Sequence, residues 1–190
     1  MELYALIQQY HPTSPKEESD QKKILSLLDS CPTSALTRDN LSFHFTASAF
    51  VMNPKLDHVL MVYHQIYQSW SWPGGHADGN PNLESVARKE VWEETGLGEL
   101  TLLFPGPVSL DLLSVGMHRK KERLVPSHQH ISVAYAFTAD DTYSLSANLE
   151  ETKGVRWIPL THLSQFCSEP HMLPIYLKII RKIHKNGGIL

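Results

Sequence analysis

Glu90, Glu93 and Glu94 fall at positions i, i+3 and i+4 of a stretch, residues 83–95, whose composition predicts a helix. At about 100° per residue, that spacing puts all three carboxylates on one helical face. Like charges so placed destabilise a helix by about 0.2–0.5 kcal/mol per pair. A hard divalent cation removes the repulsion and gives the cluster a purpose. Magnesium suits such a set, because it takes a few carboxylates and completes its shell with water and phosphate oxygens. The plainer alternative is a solvated acidic face, since glutamate is a good helix former. Glycines flank the helix: Gly74-Gly75-His76-Ala77-Asp78-Gly79 leads in, and Gly96-Leu97 follows.

With those flanks the run resembles the Nudix box of the Nudix (MutT-like) hydrolase superfamily, G-x5-E-x7-R-E-U-x-E-E-x-G-U, where U is a bulky aliphatic residue. Gly75 takes the first glycine, Glu90 and Val91 the E-U step, Glu93 and Glu94 the E-E pair, Gly96 and Leu97 the end. Trp70-Ser71-Trp72-Pro73-Gly74 is similar to the family's lead-in, and Val155-Arg156-Trp157-Ile158-Pro159-Leu160 to its last strand and turn. Two positions depart. Pro81 stands where the family has its first glutamate, and Lys89 where it has arginine. In the family those side chains hold the loop on the helix and orient the ligands, so both partners of that brace have changed together. Glu84 and Arg88, four residues apart, offer another brace, and Lys89 keeps a positive charge but not the fork of Arg.

The resemblance implies Mg²⁺-dependent hydrolysis, with Mn²⁺ as substitute, of a phosphoanhydride in a nucleoside diphosphate linked to another moiety. It assigns Glu90, Glu93 and Glu94 as metal ligands, with the Gly75 carbonyl as a further one, and Lys89, Arg88 and Glu84 as supporting residues. Glu151, just before the last strand, is the first choice of general base, with Glu150 or Glu94 behind it; a solvated loop is the bland reading of Glu150-Glu151. The alternative from another class is a noncatalytic Nudix module that binds a nucleotide metabolite and regulates a partner. Pro81 and Lys89 favour that alternative, and the intact glutamates favour catalysis.

Fewer signals come from the rest of the chain. Arg119, Lys120, Lys121 and Arg123 form a basic run that either draws in an anionic substrate or is a solvated loop. Trp70, Trp72, Tyr67 and Tyr135 are candidates for base stacking, against the reading that aromatics of this size pack the core. His128 and His130 share one strand face, as metal ligands do, but no Cys or carboxylate partner is fixed by spacing, and half-buried strand histidines are the plainer reading.

The elements that must position these residues read as follows. Residues 1–40 form an N-terminal helical extension, with Leu3, Leu6 and Ile7 on one face and a second helix starting at Ser14-Pro15-Lys16-Glu17. Packing or oligomer contact, a homodimer included, is its default role. Residues 41–165 carry the Nudix domain and 166–190 a C-terminal helix packed on it. Alternation from Phe43 to Met52 predicts a strand, and 58–64 a second, its hairpin partner. Further strands are expected near 100–104, 108–114, 131–138 and 155–158, and a last helix over 170–185. This order gives an α+β fold, and the resemblance specifies it as an α/β/α sandwich with a mixed β-sheet and extra terminal helices.

With 190 residues and 42% hydrophobic content the chain can bury a core without disulfides or structural metal. A net charge of −3 argues against duplex nucleic acid as a partner. No apolar run approaches the ~20 residues that span a bilayer. Met1-Glu2-Leu3-Tyr4 lacks the basic start of a signal peptide, and Cys31 and Cys167 read as reduced thiols, so a cytoplasmic protein is expected.

Overall fold

The computed structural model describes residues 2–31, 34–65, 68–120, 123–148 and 152–186. Helices α1 (Glu2–Gln9) and α2 (Pro15–Ser30) come first. Ser14 is extended, and its hydroxyl accepts the Glu17 N–H at 3.2 Å, while Pro15 has no N–H to satisfy, so α2 begins where these residues require. Then come β1 (Phe43–Met52), β2 (His58–His64), β3 (Ser69–Ser71), β4 (Gly74–His76) and α3 (Leu83–Thr95). After α3 lie β5 (Thr101–Leu102), β6 (Ser109–Val115), β7 (His118–Lys120), β8 (Arg123–Val125), β9 (His128–Thr138) and β10 (Thr152–Pro159). The chain closes with α4 (Leu163–Phe166) and α5 (Leu173–Asn186). Among the described residues, no helix is long and apolar enough to cross a membrane.

One mixed sheet runs β10-β2-β1-β9-β5, with β3 beside β2, β4 beside β1 and β6 beside β9. Side-chain alternation divides its two faces. Phe45, Ala47, Ala49 and Val51 of β1, with Ile131, Val133 and Phe137 of β9, pack on α1, α2 and α3 through Ile7, Ile24, Leu28, Val86 and Val91. Phe50 and Met52 of β1, with Ala134 and Ala136 of β9, face Ile175, Tyr176, Ile179 and Ile183 of α5. The result is an α/β/α sandwich with a mixed sheet.

The expected hairpin of β1 and β2 forms, antiparallel, but it is short. β1 and β2 share only the Met52–Val59 rung next to their turn. β1 instead pairs in parallel with β9 along its whole length, from Phe43–Gln129 to Met52–Thr138. Its other edge is taken by β4, antiparallel, at Thr46, Ala47 and Ser48. Once β4 and Pro73, whose carbonyl accepts the Ala49 N–H, occupy that edge, β2 must diverge, and it pairs with β3 and β10 instead.

A buried ionic cluster fastens the two terminal segments together. Glu17 of α2 is 0% exposed. It accepts hydrogen bonds from the Tyr10 hydroxyl and the Thr13 N–H (2.7 Å) and lies 2.9 and 3.0 Å from the ammonium groups of Lys178 and Lys182 on α5. Burial alone pushes its carboxyl up, but the Tyr10 and Thr13 hydrogen bonds and the charge of Lys178 outweigh it and bring the pKa down from 4.5 to about 2. A depressed carboxyl stabilises the fold fully above its unfolded value and loses that contribution as pH falls through the folded one. Glu17→Gln should therefore lower the stability to urea by about 3–5 kcal/mol at neutral pH, because it strands buried ammonium groups. The gap from wild type should narrow between pH 4.5 and about 2. A gap that stays constant over that window would contradict the ion pairing.

Candidate active site

Helix α3 is defined at both ends by side-chain and backbone chemistry. The Asn82 carboxamide accepts the Ser85 N–H at 3.0 Å, and Gly96 closes the helix at φ 73°, its N–H on the Trp92 carbonyl at 2.9 Å. Leu83, Val86, Ala87 and Val91 are buried and fix its rotation against the sheet. That rotation turns the Glu90, Glu93 and Glu94 face toward β4.

Contacts with β4 then place the acids individually. Glu94, 4% exposed, accepts the Gly74 N–H at 3.0 Å. The Glu90 carboxylate is pressed so closely on Gly75 that a Cβ added there would lie 2.5 Å from it, so any side chain at this position would push the carboxylate out of its present place. Glu90 and Glu93 side chains are 15% and 37% exposed, so the three form a gradient from buried to solvent-facing. Lys89 donates to Glu93 at 2.6 Å and lies 3.9 Å from Glu90. The Glu93 hydrogen bond holds the Lys89 ammonium above its usual pKa, against a smaller penalty from burial. Three carboxylates so gathered, with the Lys89 ammonium on their solvent side, offer the oxygen ligands that suit a hard dication.

The lead-in loop is held by a pair that the sequence reading did not single out. Arg38 grips Asp78 with two bonds of 2.8 and 2.7 Å. The Gly79 N–H meets the Leu36 carbonyl at 2.9 Å and the Ala77 N–H the Phe45 carbonyl at 3.0 Å. With Pro81 unable to reach across, the loop is fastened to the segment before β1. Arg38 and Asp78 are 40 residues apart, and no local spacing signals their pairing.

Glu84 and Arg88 do pair, at 2.9 Å, and Arg88 also donates to the Leu100 carbonyl at 2.8 Å and lies over the Phe137 ring. At 100° per residue Arg88 points well away from Glu90 and Glu94, so this pair fastens α3 to the strand after it. Trp72 is buried edge-on against Tyr176, and Tyr135 is buried among the side chains under α3. Burial, with the charge of Glu84 nearby, drives the Tyr135 hydroxyl far above its ordinary pKa. Trp70 stands between Tyr63 and Phe166 with the Arg156 guanidinium 5.5 Å above it. Glu150, Glu151, Tyr67 and Lys121 lie outside the described residues, as do the side chains of Arg119, Lys120 and Arg123. His128 and His130 come together with His44 and His76 on the sheet face opposite α3.

Residues 42–180 match the family description of the NUDIX domain. No curated protein matches the chain. Among solved structures, it resembles a NUDIX-family hydrolase from Clostridium perfringens (21% identity, 74% of this chain and 97% of that one, TM-score 0.54). An Ap4A hydrolase from C. elegans, a binary complex, is similar at 12% identity (74% and 98%, TM-score 0.53). The NUDIX domain of Shewanella oneidensis NrtR, complexed with ADP ribose, is similar at 18% identity (73% and 87%, TM-score 0.50). At such identities these likenesses speak for the fold. The family match, spanning most of the chain and including the glutamate-bearing helix and its two glycines, shows that the chain belongs to the Nudix hydrolase family.

Proposed function

We propose that this protein hydrolyses a phosphoanhydride in a nucleotide derivative, a nucleoside diphosphate joined to another group, with Mg²⁺ or Mn²⁺ held by Glu90, Glu93, Glu94 and the Gly75 carbonyl. The observation that carries the reading is the docking of α3 on β4, with Glu94 on the Gly74 N–H and Glu90 against Gly75. The donors are all oxygens, as a hard cation requires. The metal's contribution is to screen phosphate charge and acidify water. What the chain itself does is hold the carboxylates. Gly74 fixes the direction of Glu94, Gly75 leaves Glu90 room, and Lys89 restrains Glu93. The likeness to an Ap4A hydrolase and to a NUDIX domain complexed with ADP ribose supports a substrate with linked phosphates.

We assign the proton-accepting role to Glu151 or Glu94. The described residues on either side of Glu151 support the first: the Asn148 N–H reaches the Glu94 carbonyl at 3.4 Å, and the Thr152 N–H the Asn148 carbonyl at 2.8 Å, so both flanks lie near the end of α3. We place the protein in the cytoplasm with free Cys31 and Cys167, and read residues 1–40 as an extension of the catalytic domain. The 2.6 Å hold of Lys89 on Glu93 favours a second reading, a binding module in which that carboxylate is committed to Lys89.

A panel of nucleotide derivatives incubated with magnesium or manganese should show phosphoanhydride cleavage of at least one. Tight binding with no cleavage across the panel would establish the binding module instead. Glu94→Gln keeps an oxygen for the Gly74 N–H but loses charge. It should retain the wild-type melting temperature and lower kcat by about 10²–10³, the scale of one lost electrostatic contact to the transition state; full activity would remove Glu94 from the site. Gly75→Ala drives a methyl into the Glu90 carboxylate. The carboxylate is the end of a flexible side chain and can swing aside, so the expected result is a melting temperature close to wild type together with a higher magnesium requirement. An unchanged magnesium requirement would show that Glu90 is not a ligand.

A further inference from the structure

The sheet face opposite α3 carries a second cluster of donors, made of nitrogen. His44 pairs across the strands with His130, and His76 with Thr46, so β1, β4 and β9 run side by side here. Phe45 and Ile131 point to the α3 side, and Gly75 meets Glu90 there, which turns His44, His130 and His76 the other way. His128, two residues before His130, joins them. The ring centroids of His44 lie 5.0, 4.9 and 5.0 Å from those of His76, His128 and His130.

Tautomers follow from the partners. His44 Nδ1 lies 3.1 Å from the Asn40 carbonyl oxygen, which only accepts, so Nδ1 carries the proton. In the neutral ring the lone pair is then on Nε2. His44 is 5% exposed, burial favours its neutral form, and Nε2 is buried with no hydrogen-bond partner among the described residues. His128 Nδ1 donates to the Pro126 carbonyl at 2.9 Å, so its Nε2 lone pair also turns inward, 3.1 Å from His130 Nε2. A carbonyl on one ring nitrogen and a lone pair on the other is how metal-binding histidines are oriented.

One nitrogen from each of His44, His76 and His130 lies within 4.8 Å of the others. Adjacent ligands of a tetrahedral zinc ion, at about 2.0–2.1 Å from the metal, stand about 3.3 Å apart. To bind an ion the trio closes from its present spacing, within 4.8 Å, to that value. We propose that His44, His76 and His130, with His128 beside them, form a binding site for a zinc-class divalent cation, separate from the carboxylate face of α3. A cation here ties β4 to β1 and β9, and so steadies the strand that carries Gly74 and Gly75.

The test uses untagged full-length protein stripped with a chelator and titrated with Co²⁺. Cobalt in a tetrahedral, zinc-like site gives intense visible bands that six-coordinate cobalt in a magnesium-like oxygen site lacks. The wild type should develop them at one equivalent, lose them to added Zn²⁺ and keep them in excess Mg²⁺. His44→Ala and His130→Ala, checked for folding by circular dichroism, should weaken cobalt affinity by about 100-fold, at least the upper end of the effect of losing an outer partner. Glu90→Gln should leave the bands intact. Absence of the bands in wild type, or their loss in Glu90→Gln but not in the histidine variants, would overturn the proposal.

Discussion

Ten consecutive parallel rungs between β1 and β9 hold the middle of the sheet, and everything else is positioned from that ladder. Every residue of β1 is buried, so each side chain is committed to one face or the other, and a slip of one residue would exchange the faces. In the observed register Ala47 and Ala49 leave shallow ground for α3 to lie on. The same register sets β4 against Thr46, Ala47 and Ser48, where Gly74 and Gly75 come under the glutamates. The parallel pairing also demands a long crossover, and the chain spends it on α3 and the strands around it.

Close approach is the second constraint, and it follows from the first. Gly75 leaves room for the Glu90 carboxylate on β4, and the absence of a side chain on Gly74 lets β4 lie close on β1 at Ala47 and Ser48. The repulsion among the three carboxylates is moderated by Lys89 on the solvent side and by the Gly74 N–H on the buried side. Arg38 and Asp78 contribute little energy, since their side chains are about half exposed, but their two-point contact fixes the path of the loop between β4 and α3.

The parts of this arrangement that were legible in the sequence are those with short-range patterns. Residues 83–95 show the helix of the carboxylates with its limits unchanged, because Asn82 and Gly96 are local signals and the apolar spacing is helical. β1 was legible for a similar reason, through its two-residue alternation. Its main partner was not, since pairing depends on which strand arrives at a free edge, and the nearest in sequence, β2, is displaced by β4 beyond the Met52–Val59 rung. β4 itself has three residues, two of them glycine, and carries no strand pattern. The Arg38–Asp78 pair and the quartet of histidines are both made by tertiary folding. His128 and His130 display a shared face in sequence, but His44 and His76 join them only through the β1–β9 and β1–β4 registers.

The alternation of a strand gives adjacent residues opposite surroundings, and here it separates two kinds of ligand chemistry. Gly75 belongs to the carboxylate side and His76, its neighbour, to the imidazole side. Oxygen donors favour hard cations such as magnesium, whereas imidazoles favour zinc and its neighbours in the first transition row. Two donor sets on opposite faces of one sheet, meeting at β4, would therefore favour different ions by chemistry alone. Because β4 is three residues long, any shift imposed on His76 is carried directly to Gly75 and to the Glu90 carboxylate that rests on it. The nitrogen cluster and the glutamate face thus share β4 as their one common strand, and each set of side chains is built on the register that the β1–β9 ladder imposes.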